Sequence, residues 1–367
     1  MTTWDELASQ MLAEKGPAAL TCRQWLMPAE GHNAVIFPPT FAAPDGGGGK
    51  AGYNIDPVGE GPNAQLVAII DTVGSQANRM EPLFKRVNGA DTDYSRLVPQ
   101  IMIEVGNKVV NLLDAGHRAA DAIARYSSLG PQLAEAFDNY QESGDATALA
   151  RIAPTSLIFG VWDSRGKGAK LPRLVASTIR AYDVVKLNRS AQYNPPIDYV
   201  ALDLLDNPDD KEVLDTASEL GFRHAPAAGT HGGVIVRGEI RREAILSLVA
   251  LRSLGPASEN GDALRRYILG LALLAMTYDR EHNLRQGCLL VGDPEKPALW
   301  EVVMHDGTRT PIAPDHEALV AFAQAAEKAF GKGKDQKVAF DRKAANDAIG
   351  EKIRGKVARG RKGKKDE

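Results

Sequence analysis

The stretch LIFGVWDSRGKGAKLPR, Leu157 to Arg173, brings an acid, a serine and four glycine-spaced cations together. Three chemistries use such residues. Acyl transfer would rest on Ser164, with Asp163 and a distant histidine, but the run lacks the GxSxG elbow, and bulky Trp162 stands where that turn needs small residues. Phosphate cradling is the second, and the chain's other glycine-rich loop, GGGGKA at Gly46 to Ala51, tests it poorly. No strand precedes that loop, no helix follows, and Ala51 replaces the metal-binding hydroxyl. The third is a nucleic-acid groove. Gly166 and Gly168 let backbone amides approach a phosphate, Arg165, Lys167, Lys170 and Arg173 supply charge, and Trp162, Tyr182 and Tyr193 offer ring faces. Trp162 would equally serve in a core, and that alternative stays open.

A second cluster lies in SQANR. Ser75, Gln76, Asn78 and Arg79 fall within about one helical turn, and neutral donors beside an arginine can hold a nucleic-acid backbone and its 2′-hydroxyls without reading sequence. A buried structural network would use the same residues. Metal chemistry has less support: the histidines His32, His117, His224, His231, His282, His305 and His316 form no HxH or HExxH cluster. Cys22 and Cys288 stand far apart, as fits a reducing cytosol. We therefore expect no metal and no cofactor.

These residues need elements to hold them. With 367 residues, 44% of them hydrophobic and 25% charged, the chain can bury a substantial core. A helix is expected near Thr3 to Glu14, then a Pro/Gly-rich loop over about 38–62. Leu66, Ile70, Val73, Ala77, Met80 and Phe84 predict a helix across Asn63 to Arg86. QIMIEV, Gln100 to Val105, reads as a strand, and LLDAGHRAADAIARY as a helix with Asp114 capping its first turn. Another helix covers Pro131 to Ser143. SLIFGVW has the apolar, aromatic character of a buried strand, and RLVASTIRAYDVVKLN of a strand or hairpin arm that exposes Arg180 and Lys186. Helices follow at Pro208 to Leu220, Arg242 to Leu254, Asn260 to Tyr278 and Pro314 to Phe330. Between them lie the loop FRHAPAAGTHGG and the strands VIVRGEI, CLLVGD and ALWEVV. Strands and helices without regular alternation predict an α+β fold around an antiparallel sheet, with sizeable insertions.

Charge is sorted along the chain. Residues 331–367 hold 13 Lys or Arg against 6 Asp or Glu, a net +7, which leaves −10 on the first 330 residues of a chain whose formal charge is −3. Arg151 to Pro196 has 8 basic residues and two acids, whereas Asp198 to Glu219 has 8 acids and one lysine. Such blocks point to a polyanion partner for one face or to solvated faces folded side by side. The tail, 331–367, is expected to be mostly disordered, with Asp341 to Val357 helical on contact with something acidic, and to add nonspecific affinity for RNA or a displaced DNA strand. No apolar run is long enough to span a bilayer, and the acidic start lacks a signal-peptide pattern. A cytoplasmic protein is expected.

The segments IIDTVGSQANRMEP, LLDAGHRAADAIAR, TSLIFGVWDSRGKGAKLPRLVASTIRAYDVVKLNRSAQYNPP and NLRQGCLLV, in this order, resemble the CRISPR-associated backbone protein of the type I-G (formerly I-U) Cascade surveillance complex. The resemblance spans roughly Phe37 to Val291. It implies a RAMP-superfamily fold: a modified RRM or ferredoxin-like palm carrying large finger and thumb insertions, here over residues 1–330. It implies a subunit without enzymatic activity that binds guide RNA (crRNA), stacks head to tail with further copies of itself along the spacer, and presents the guide for pairing with target DNA in antiviral defence. The implied partners are the large subunit, a fused five/six-type RAMP subunit and a recruited helicase-nuclease, with no membrane. On this reading Gln76, Asn78 and Arg79 contact the guide backbone. Arg165, Lys167, Lys170 and Arg173 form a basic loop, and Arg180, Arg189, Gln192 and Tyr193 extend the track. His117 and Arg118 match the family's HR pair, in a role left open between RNA contact and holding the helix. Because relatives include ribonucleases that process guides or cut target RNA, an endoribonuclease using Asp71, Asp163 or His117 is the alternative.

Overall fold

A computed structural model describes residues 3–42, 51–61, 64–164, 168–206, 210–256, 258–278 and 281–362. Its centre is an antiparallel sheet. The strands run in the order His282–Arg285, Cys288–Gly292, Ala19–Pro28, Ile240–Ser247, Val175–Tyr182, Gln65–Asp71 and Ile55–Val58. Leu299–Val303 lies on the same edge of the first long strand as Cys288–Gly292, beside Ala19 to Arg23, while Cys288–Gly292 takes Leu26 to Pro28.

The middle strand Ile240–Ser247 is antiparallel to both Ala19–Pro28 and Val175–Tyr182, so those two are parallel with a strand between them. On the other side, Ile240–Ser247 and Cys288–Gly292 are split by Ala19–Pro28 in the same way. Two interleaved split β-α-β units are the arrangement of a ferredoxin-like sheet. The fold is α+β, as the order of elements predicts.

Alternation decides which side chains face the helices. Along Val175–Tyr182, Val175, Ser177, Ile179 and Ala181 are buried, while Ala176, Thr178, Arg180 and Tyr182 alternate with them. The helix Glu259–Thr277 is apolar nearly all round from Leu264 onward, the pattern of a helix buried on several sides. Ser258 caps it by accepting from the Gly261 amide. The second long helix, His316–Phe330, packs on it where Gly270 meets Ala323: a Cβ on Gly270 would lie 3.0 Å from the Ala323 Cα.

Several expected elements differ. The periodic run from Asn63 is a strand, Gln65–Asp71, followed by a helix, Val73–Met80, capped by Thr72. Leu66 and Ile70 satisfy a half-buried strand as well as they satisfy a helix, and sheet pairing wins. SLIFGVW is a buried helix, Pro154–Phe159, led by proline at its first position, and only Val161–Trp162 is extended. The segment from Arg242 starts as strand, Ile240–Ser247, and turns helical at Leu248–Arg252. LLDAGHRAADAIARY is broken into 3-10 turns and the short helix Ala122–Arg125, capped by Asp121 and not Asp114. FRHAPAAGTHGG is largely strand, Ala225–Val236, paired with Val184–Tyr193 in a long ribbon. The Pro/Gly-rich segment holds short strands at Thr40–Phe41, Gly52–Tyr53 and Ile55–Val58, while GGGGK lies outside the described residues. The tail begins later than expected: Gln336–Ala339 pairs in parallel with Ile101–Val105, Val338 is buried with the main core, and a helix follows at Arg342–Lys362.

Candidate nucleic-acid interface

The quoted stretch is held at its base and open at its rim. After Phe159 the backbone turns at Gly160 with φ 79° and ψ 150°, a conformation essentially reserved for glycine. The turn also needs space: a Cβ there would meet the Arg173 Cγ at 2.6 Å. Val161–Trp162 then pairs with Lys170–Leu171. The Asp163 amide donates to the Ala169 carbonyl, and the Leu174 amide to the Ile158 carbonyl.

Val161, Ala169 and Leu171 point into the core, whereas Trp162 is 62% exposed and Lys170 and Arg173 face solvent. Asp163 is buried and ion-paired to Arg125, so it anchors the loop. Arg165 and Lys167 lie outside the described residues.

Arg118 ties this loop to the rest. Its backbone sits at φ 53° and its side chain is buried. Nε donates to the Glu81 carboxylate at 2.9 Å, Nη1 reaches the Gly160 carbonyl at 3.4 Å, and Nη2 reaches the Asn78 Oδ1 at 3.5 Å. The guanidinium also lies over the Phe159 ring, 5.3 Å from its centroid. Burial pushes the Glu81 carboxyl above its ordinary range, and the Arg118 charge opposes that push. The open question about the HR pair thus divides: Arg118 holds the structure, while His117 is exposed, with Nδ1 3.4 Å from the Asp121 carboxylate.

Together these elements shape a cleft of about 420 Å³ lined by His117, Arg118, Trp162, Ser164, Lys170 and Arg173. Burial, and then the Arg118 charge, hold the Arg173 guanidinium below its ordinary range. An anion entering the cleft would relieve that like-charge repulsion, and the Trp162 ring offers it an apolar edge.

The SQANR helix is placed differently from expectation. Gln76 is buried; its Nε2 donates to Asp71 Oδ2 at 2.6 Å, and Ser177 Oγ donates to its Oε1 at 2.9 Å. A sealed side chain with both ends paired does not reach a bound backbone, which corrects the expectation for Gln76. Arg79 pairs with Asp71 at 3.1 Å and donates to the Leu284 carbonyl at 2.9 Å, leaving 34% of its side chain exposed. Both residues lock the helix to three strands. Asn78 is exposed and adjoins the cleft through Arg118.

The remaining candidates lie elsewhere. Arg180 stands on the sheet face opposite Ser177 and the SQANR helix, and its Nη1 donates to Thr178 Oγ1 at 2.7 Å. That face has its own hollow of about 310 Å³, with Arg23, Arg180, Arg309, Glu243 and Glu301 around it. Arg189, Gln192 and Tyr193 line the ribbon arm opposite Thr230, Pro226 and Ala225, and all three are exposed. The structure therefore gathers Lys170 and Arg173 with Asn78 nearby, and separates them from Arg180 and from the ribbon residues. Sequence reading missed Arg23, because the strand Ala19–Pro28 went unrecognised. The signal was there: Leu20, Cys22 and Leu26 are buried and Arg23 is exposed, a partial alternation. Among the described residues, no group of three or more His, Cys, Asp or Glu side chains could hold a metal ion.

The fold and the cleft define an α+β protein whose ferredoxin-like sheet carries a cationic, aromatic-edged loop. Residues 20–186 are similar to the family described as CRISPR-associated protein GSU0053. A search of the curated proteins finds no match. The matched segment includes the first long strand from Leu20 onward, the SQANR helix, the Arg118 turn and the whole cleft loop. Among the described residues, no helix is long and apolar enough to cross a membrane.

Proposed function

We propose that this protein is a guide-RNA-binding backbone subunit of a type I-G surveillance complex, cytoplasmic and without catalytic activity, repeated head to tail along the spacer so that the guide can pair with target DNA. The observation that carries this reading is the cleft of Trp162, Lys170 and Arg173 beside His117 and Arg118, lying inside the segment that matches the CRISPR-associated family. Lysine and arginine at such a rim neutralise phosphates without reading bases, and an exposed tryptophan stacks on any base. Sequence would then be read by base pairing alone.

Binding of a guide-length RNA by purified, nuclease-treated protein tests it. Lys170→Glu and Arg173→Glu should each weaken binding and lower the salt slope by about 1, and Trp162→Ala should cost about 1–3 kcal/mol. Unchanged affinity and slope in all three variants would remove the reading.

The nuclease alternative narrows to one group. Asp71 and Asp163 are buried and paired, whereas His117 and Asp121 stand together at the rim. RNA cleavage by the wild type that His117→Ala abolishes would favour that alternative; no cleavage is expected.

A further inference from the structure

The far end of the ribbon presents acid and apolar surface together. Between its two arms the chain makes a compact excursion in which Tyr199 and Phe222 meet edge to face, 5.2 Å between centroids, and the helix Lys211–Glu219 is capped by Asp210. Leu202, Leu204 and Leu220 are 57%, 59% and 67% exposed. Single exposed leucines need no explanation, but several on one ordered cap do. Around them stand the exposed acids Asp203, Asp206, Asp215 and Glu219, none of which forms an ion pair among the described residues.

The opposite combination closes the same chain. The helix Arg342–Lys362 holds 8 basic residues against Asp347 and Glu351. Ile349 and Ile353, one turn apart on one face, are 60% and 57% exposed. RNA would satisfy the cations of this helix but not its isoleucines, and the acidic cap would repel RNA. A second copy satisfies both surfaces at once.

We propose that the acidic, apolar end of the ribbon in one copy receives the basic C-terminal helix of the next. Because the two surfaces differ, the contact is heterologous and propagates from copy to copy. Its use along a guide rests on the backbone reading above, but its formation does not require RNA.

Sedimentation velocity of the full, nuclease-treated chain over a concentration series tests the contact, with RNA affinity measured separately on the same preparations. Self-association should weaken with added salt. It should fall about tenfold or more in a cap variant, Asp203→Lys with Asp206→Lys and Asp215→Lys, and equally in a helix variant, Lys343→Glu with Lys352→Glu and Arg354→Glu. Mixing the two variants should restore association, since each then meets an opposite charge on the other. A wild type that stays monomeric overturns the proposal, as does association untouched by either variant or a mixture that fails to recover. If the helix variant loses RNA affinity and keeps its self-association, the helix serves nucleic acid and the proposal fails. Loss of RNA binding in the cleft variants with self-association intact separates the two readings.

Discussion

Gln76 shows how residue type alone misleads. Its amide is a capable RNA donor, yet here it joins Asp71 to Ser177 inside the molecule. Gln76→Ala should therefore destabilise the protein by about 1–3 kcal/mol, because it strips a buried carboxylate of a donor. Urea unfolding reads the loss, and RNA affinity per folded molecule should stay unchanged. His316 yields a pH prediction. Its ring nitrogens meet the Tyr94 and Thr277 hydroxyls, and burial depresses its pKa below the ordinary 6.5, with Asp315 opposing. Between the depressed value and 6.5 the unfolded chain binds the proton more readily, so acidification through that window removes stability. Thermal melts from pH 7 downward should show the fall, and His316→Gln should flatten it.

At the scale of elements, the cleft loop depends on Gly160. Gly160→Ala places a Cβ against Arg173 in a backbone region closed to alanine, and should cost about 1–3 kcal/mol. Since Arg173 must move, the proposed RNA affinity should fall in the same variant, read by binding titration at matched folded fraction. Elements were legible where period and caps agreed. Glu259–Thr277 and His316–Phe330 have serine or aspartate caps before long apolar runs, and both were expected within a few residues. Pro154–Phe159 was not, because a short apolar run such as Leu157, Ile158 and Phe159 suits a buried helix as well as a strand. Ile240–Ser247 was hidden by Arg242, a buried arginine on the inner face that donates to the Met276 carbonyl.

At the scale of the whole molecule, the tail divides at Asp341. Deleting residues 331–367 removes the strand Gln336–Ala339 and the Arg86 pair with Asp335, and should lower the melting temperature by several degrees. Ending the chain after Asp341 should leave the melt close to wild type and remove only the charged helix. Differential scanning calorimetry of both truncations checks this, and only the shorter deletion isolates the tail's charge.

By itself the sequence determined the α+β class, the sorted charge blocks and the run from SQANR through the glycine-spaced cations. Those properties are local: composition, period and contiguous motif survive without a third dimension. Tertiary structure decided which polar groups face water. Gln76 and Arg118 went inward because nonlocal partners, Ser177 and Glu81, were there to satisfy them. Trp162 went outward because its strand neighbour Val161 took the core side. Whether a buried polar group can be tolerated depends on partners brought from far along the chain, and that is settled only when the sheet closes.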